Sequence, residues 1–114
     1  MTKIKIYKNS LNKIIGYELS GHTGYGEFGQ DVLCASLSTI TQSIAMGLRD
    51  VLLIDVDIIR RDKDGYIKVE LPHVLDQEKI DKAQILLETL LVSVQDLQEG
   101  YSSYISMEVI ENVY

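Results

Sequence analysis

The sequence predicts an α+β fold: a two-layer α/β sandwich of one mixed or antiparallel sheet and two helices, in the order strand-strand-helix-strand-strand-helix-strand. Three observations lead there. Several short stretches alternate apolar and polar residues with the period of a strand. Two longer stretches repeat apolar residues at helical spacing. Two helices are too few to cover both faces of a sheet, so they belong on one.

Residues 3–8 alternate, with Ile4 and Ile6 on one face. Asn9-Ser10-Leu11-Asn12 reads as a turn. Residues 13–20 alternate again, with Ile15, Tyr17 and Leu19 together, which completes a hairpin. Then comes a loop in which four of the eight glycines fall between positions 21 and 29. Asp31 is placed to cap the helix that follows. From Val32 to about Leu48, Leu33, Leu37, Ile40, Ile44 and Leu48 recur at helical spacing. This helix carries no charge before Arg49, which predicts burial on most sides.

Residues 52–59 read as a strand, Asp64-Gly65 as a tight turn and residues 66–71 as its partner strand, ended by Pro72. A long helix follows from about Asp76 to Glu99, with Gly100 as the residue just past its end. Its seam is Ile80, Ala83, Leu87, Leu90, Val94 and Leu97. Ile85, Leu86, Leu91 and Val92 widen that surface, which fits either an oligomer contact or a helix sunk deep in the core. Residues 103–110 form the last strand, with Ile105, Met107 and Val109 on one face.

Composition narrows the function. At 114 residues the chain suits a single domain over 1–114, and 46% hydrophobic residues suffice for one core. One cysteine excludes an internal disulfide and every multi-cysteine zinc site, and two histidines leave little for a His-rich metal centre. No metal and no cofactor are expected. A net charge of −6 argues against direct nucleic-acid binding. No apolar run is long enough to span a membrane, and the alternating N-terminus lacks a signal core, so cytoplasm is the expected compartment.

Gly24-Tyr25-Gly26-Glu27-Phe28-Gly29 matches the dinucleotide fingerprint between a strand and a helix. The match fails on charge. No Lys or Arg occurs between Ile14 and Leu48, and Glu27 and Asp31 would repel a pyrophosphate. No parallel second half follows, because the next strands read as a hairpin.

Cys34 is the sharper feature. Capped by Asp31, the helix would hold Cys34 in its first turn, where the positive end of the dipole favours thiolate. A lone free cysteine is also a common small core filler. His22 lies twelve residues upstream, in the loop leading into the same helix. A thiol that attacks and an imidazole that protonates the leaving amine are the parts of a cysteine hydrolase. Ser38, one turn after Cys34, starts a small polar stripe continued by Thr41. Asp31 could orient His22 or cap the helix, and capping is the favoured role. Amides of the first helical turn are candidates to hold an oxyanion. Tyr25 and Phe28 could line a substrate pocket or anchor the loop. His73 reads as surface.

The run Gly21-His22-Thr23-Gly24-Tyr25-Gly26-Glu27-Phe28-Gly29-Gln30-Asp31-Val32-Leu33-Cys34-Ala35 resembles the signature of the bacterial ribosomal-processing cysteine proteases, the Prp family. That pattern is Gly-His-x-x-x-x-Glu-x-Gly-x-Asp-(Ile/Val)-(Val/Leu)-Cys-Ala, followed by a helix with a serine, which Ser38 fits. The stretch from Gln84 to Gln95, with Tyr101 beyond it, is similar to the family's second helix. Gly26 stands where many relatives carry a larger residue. The resemblance implies a two-layer α/β fold and a homodimer. It implies an intracellular protease that removes the N-terminal extension of large-subunit ribosomal protein twenty-seven, supporting ribosome maturation. It makes His22 the general base and Cys34 the nucleophile, and it matches Asp31 and Ser38 without fixing their roles. Gly21, Gly24, Tyr25 and Phe28 belong to the accompanying loop or pocket. The substrate partner is then a ribosomal protein precursor, with no direct nucleic acid and no membrane. A non-catalytic module that grips a ribosomal protein or assembly factor is the alternative. A thiol-redox sensor fits less well, since no second cysteine is present to resolve a sulfenic acid.

Overall fold

In the computed structural model, which describes residues 1–27 and 31–113, the N-terminal alternation becomes β1 (Thr2–Lys8). Ile4 and Ile6 are buried in the core, while Lys3 and Lys5 take the opposite face. The turn that follows is held by the Asn9 side chain, which accepts the amides of Leu11 and Lys13. Asn12 there adopts φ 62°, a left-handed value that asparagine tolerates.

β2 (Ile14–Ser20) runs antiparallel to β1, and the register shifts between Tyr7 and Lys8. That irregularity corrects one expectation. Ile14 rather than Ile15 joins Tyr17 and Leu19 in the core, because an extra residue in one strand exchanges the faces beyond it. Gln84 of the second helix fixes the bulged end: its amide accepts the Ile14 N–H at 2.7 Å and donates to the Ile14 carbonyl at 2.9 Å.

α1 (Val32–Met46) passes into a π-type turn at Gly47–Val51. Its inner side buries Leu33, Leu37, Thr41, Ile44 and Ala45. The expected burial on most sides is not found, because Val32, Ala35, Ser36, Thr39, Ser43 and Met46 form an exposed face. The helix rests on the sheet and beside only one other helix, which leaves its third side uncovered.

The strand expected at residues 52–59 is displaced. Residues 52–56 are an irregular connection in which Leu53 turns to φ 55° and Ile54 drops into the core, its amide bonded to the Leu48 carbonyl. Leu52 and Val56 pack against the core beside Ile54, while Leu53 stays exposed. β3 (Asp57–Arg61) starts later and pairs with β4 (Tyr66–Glu70). The tight turn expected at Asp64-Gly65 is longer, a single 3-10 turn at Asp62–Asp64 closed by Gly65.

α2 (Gln77–Gly100) buries Ala83, Leu87, Leu90, Leu91 and Val94, as its seam predicts. Gly100 is the last helical residue rather than the residue past the end; the Tyr101 amide still bonds back to Leu97. Leu86 packs where the end of α1 comes closest, since a Cβ at Gly47 would stand 3.0 Å from its Cδ1. Ile85 and Val92 lie two turns apart and remain 70% and 57% exposed, so a deep-core reading does not hold for them. β5 (Ile105–Ile110) closes the fold, two residues shorter at its start than expected.

The sheet order is β3-β4-β2-β1-β5. β5 runs parallel to β1 and the remaining pairs are antiparallel, so the sheet is mixed. Both long helices pack on one face of it over a single cluster of apolar side chains. One contact fixes the elements that matter most for function. Tyr17 on β2 donates its hydroxyl to the Thr41 carbonyl of α1 at 2.6 Å, fully buried. It ties the strand that leads to His22 to the helix that carries Cys34.

Candidate active site

The site forms where β2 ends and α1 begins. Ser20 finishes the strand and Gly21 turns the chain at φ +89°. Gly21 is required twice over: its backbone is left-handed, and a Cβ there would stand 2.9 Å from the Met1 carbonyl. The Thr2 hydroxyl donates to the Gly21 carbonyl at 3.1 Å. The chain is thereby aimed so that His22 lies over the start of α1.

At the start of α1, Asp31 caps the helix with one carboxylate oxygen on the Cys34 amide at 2.9 Å. The other oxygen accepts a short hydrogen bond from the Thr23 hydroxyl and one from the Gly26 amide at 3.3 Å. The favoured capping role is thus observed, and the same carboxylate also holds the loop. Thr23 in turn accepts the Tyr25 amide. Burial alone would raise the Asp31 pKa, but the hydrogen bonds from Thr23 and from the Cys34, Gly26 and Leu33 amides hold its carboxyl below the usual range.

These bonds correct the oxyanion expectation. The Leu33 and Cys34 amides are turned to the Asp31 carboxylate, and the Ala35 amide bonds to the Asp31 carbonyl at 3.0 Å. The Leu33, Cys34 and Ala35 amides of the first turn are thus engaged by Asp31.

Cys34 is half-buried, and its Sγ lies 3.7 Å from His22 Nδ1, within hydrogen-bonding reach for sulfur. His22 Nε2 lies 3.0 Å from the Lys63 carbonyl in the β3–β4 turn. The pair opens on a cavity of about 330 Å³. Asp31, Ser38, Gly21 and Gly24 line it, with Leu19 and Leu37 as apolar wall. The groove beside Tyr7, Lys68 and Pro72 is smaller, about 150 Å³, and neither Cys34 nor His22 lines it.

Tyr25 is not among the described residues lining this cavity. Its ring meets Tyr101 and Tyr104 edge-on, at centroid separations of 5.5 and 5.2 Å. Such pairs contribute roughly 0.5–1.5 kcal/mol each, which favours the anchoring role. Phe28 lies outside the described residues. His73 is exposed, as expected. The roles of Thr23, Tyr104 and the Lys63 carbonyl escaped the sequence reading, and Tyr101 was named only with the second helix. Asp64-Gly65 marked a turn, but nothing local showed that it abuts His22.

A thiol and an imidazole side by side on a helix start, beside an open cavity and backed by a mixed sheet, are the equipment of a cysteine protease. The comparisons agree. The family model for cysteine protease Prp matches residues 1–106, and the chain belongs to that family. The ribosomal processing cysteine protease Prp of Bacillus subtilis is 28% identical over 119 aligned positions, covering 99% of each chain. Its Staphylococcus aureus counterpart is 28% identical over 107, covering 94% of this chain and 97% of that one. A crystal structure of the essential ribosomal processing protease Prp from Staphylococcus aureus, with a covalently linked product peptide, matches with a TM-score of 0.84. It is 27% identical over 96% of this chain and 99% of that one. A Streptococcus mutans structure matches at 0.83, with 26% identity over 97% and 95%.

Asp31→Ala is expected to lower unfolding stability by about 1–2 kcal/mol, since it removes a helix cap. Urea titration measures this, and Asp31→Asn, which keeps one acceptor oxygen, should lose less. The depressed carboxyl also sets a pH dependence. Its contribution is fully present above the ordinary carboxylate value of about 4 and is lost as pH falls through the lower folded value. Below about pH 4 the parent should therefore lose stability more steeply than Asp31→Asn.

Proposed function

We propose that residues 1–114 act as one ribosomal-processing cysteine endopeptidase domain, with Cys34 as nucleophile and His22 as general base and acid. The observation that carries this reading is the 3.7 Å approach of Sγ to Nδ1 beside the cavity. His22 Nδ1 takes the Sγ proton, and the thiolate adds to the scissile carbonyl carbon. The imidazolium gives that proton to the departing amine as the C–N bond breaks, leaving a thioester on Cys34. Water then attacks the thioester, losing a proton to Nδ1, and the sulfur leaves as the thiol.

The substrate we infer is the N-terminal extension of bacterial large-subunit ribosomal protein twenty-seven. Relatives are named for ribosomal processing, and a Staphylococcus aureus Prp structure, 26% identical, holds a substrate peptide. The net charge of −6 favours a basic ribosomal protein as partner. Cytoplasm is the compartment where such a precursor is made. Among the described residues no helix is long and apolar enough to cross a membrane.

The test is incubation with a peptide spanning the extension, read by product mass. A single cut that releases the extension is expected; no cut, or scattered cuts, would retire the reading. We further propose a homodimer that covers Ile85 and Val92 on α2, since both stand exposed. Light scattering should give twice the chain mass, and Ile85→Asp should return the monomer. A monomeric parent would exclude the dimer.

A further inference from the structure

His22 is held on two sides. One ring nitrogen faces Cys34 and the other faces the main chain of the β3–β4 turn, 41 residues along the sequence. The Lys63 carbonyl can only accept, so Nε2 donates in the 3.0 Å contact. A neutral imidazole has one N–H. With that hydrogen at Nε2, Nδ1 presents its lone pair to Cys34 Sγ, the nitrogen that must take the proton.

The turn is shaped for this. Asp62–Asp64 form a single 3-10 turn, and the Gly65 amide bonds back to the Asp62 carbonyl at 3.1 Å. Gly65 closes it at φ +61°, where side chains are strained. Space is equally restrictive. A Cβ at position 65 would stand 2.9 Å from the Gly21 carbonyl oxygen and 3.1 Å from His22 Cε1. The bare backbone of Gly65 therefore lets the imidazole and the His22 loop lie directly on the turn.

We propose that the β3–β4 turn orients the imidazole. The Lys63 carbonyl selects the Nε2–H form of His22, and Gly65 is the positioning residue that lets the ring reach that carbonyl. This rests on reading His22 as the proton carrier for Cys34. The carbonyl stands where three-residue sites place a carboxylate or amide side chain against the far ring nitrogen. It accepts from the ring in both its neutral and its protonated state, so the contact persists while His22 holds the thiol proton.

The test begins without turnover. Long-range proton–nitrogen correlation of the imidazoles, with His73→Gln to separate the two histidines, reports the proton position on neutral His22. The expected result is Nε2–H. Neutral His22 with its proton on Nδ1 overturns the proposal. Gly65→Ala should lower kcat on the extension peptide at least tenfold with KM within twofold of the parent. It should also slow iodoacetamide alkylation of Cys34 at pH 7 and mix the two tautomers. A folded Gly65→Ala that keeps kcat within twofold and keeps a single tautomer also overturns it. If Gly65→Ala does not fold, the parent spectrum alone decides. Because the tautomer is read on the resting chain, a protein that shows Nε2–H yet fails to cut the ribosomal peptide refutes the ribosomal substrate and still supports the orientation of the ring.

Discussion

Replacing Cys34 by serine is expected to lower kcat on the extension peptide by about 10⁴-fold or more, the scale on which a lost nucleophile costs a covalent hydrolase. Serine keeps the shape of the side chain and the capped first turn, so folding and peptide binding should persist. It loses the soft, easily ionised sulfur, and the shorter C–O bond withdraws the nucleophile from an imidazole placed to meet sulfur at 3.7 Å. Cys34 is the sole cysteine of the chain, so no second thiol can substitute for it. The measurement is single-turnover cleavage with product mass, accompanied by a binding isotherm for the same peptide. Loss of cleavage with binding intact supports the assignment. Cleavage by Cys34→Ser at the parent rate would remove Cys34 from the chemistry and revive the non-catalytic alternative.

The parts of this site that the sequence made legible are those whose signals are local. Asp31 reads as a cap because a carboxylate just before an apolar repeat has one good use, the amides of the first turn. Cys34 then follows at the third residue of the helix, and His22 enters through the loop that must end nearby. The second helix is legible for the same reason, since its seam repeats over about five turns and its middle, Ala83 to Val94, lands in the core as spaced. What the sequence hid has two physical causes. Alternation can be satisfied without pairing, which is why residues 52–56 form an irregular connection that only buries Ile54. Main-chain groups also carry no residue signature. Nothing in Lys63 as an amino acid marks its carbonyl as the partner of His22, and only the fold brings the two together. Tyr25 stands between these cases. Its aromatic character was visible, but its partners Tyr101 and Tyr104 lie in the turn between α2 and β5, brought beside it where β5 pairs with β1.

Asp31 shows how one residue can be correct in role and still change the mechanism expected around it. By accepting the Leu33 and Cys34 amides it stabilises the helix start, and it thereby occupies donors that an oxyanion would otherwise use.

His22→Ala is expected to reduce kcat by about 10²–10⁴-fold, the contribution of a positioned general acid–base group. The loss should exceed that from Asp31→Ala, because in the proposed mechanism Asp31 acts through backbone position whereas His22 carries the proton at each step. It should fall on kcat more than on KM, since the ring meets the reacting atoms and the apolar wall of Leu19 and Leu37 is unchanged. One further readout separates chemistry from architecture. His22→Ala leaves a ring-sized space between Cys34 Sγ and the Lys63 carbonyl, which stand on its two sides. Added imidazole can occupy that space, donating to the carbonyl and accepting from the thiol, and should restore part of the rate in a saturable manner. An inert structural role would show no such rescue. Unchanged turnover in His22→Ala would end its assignment. A loss that imidazole does not rescue, in a variant shown to be folded, would assign the ring to holding the loop rather than to moving the proton.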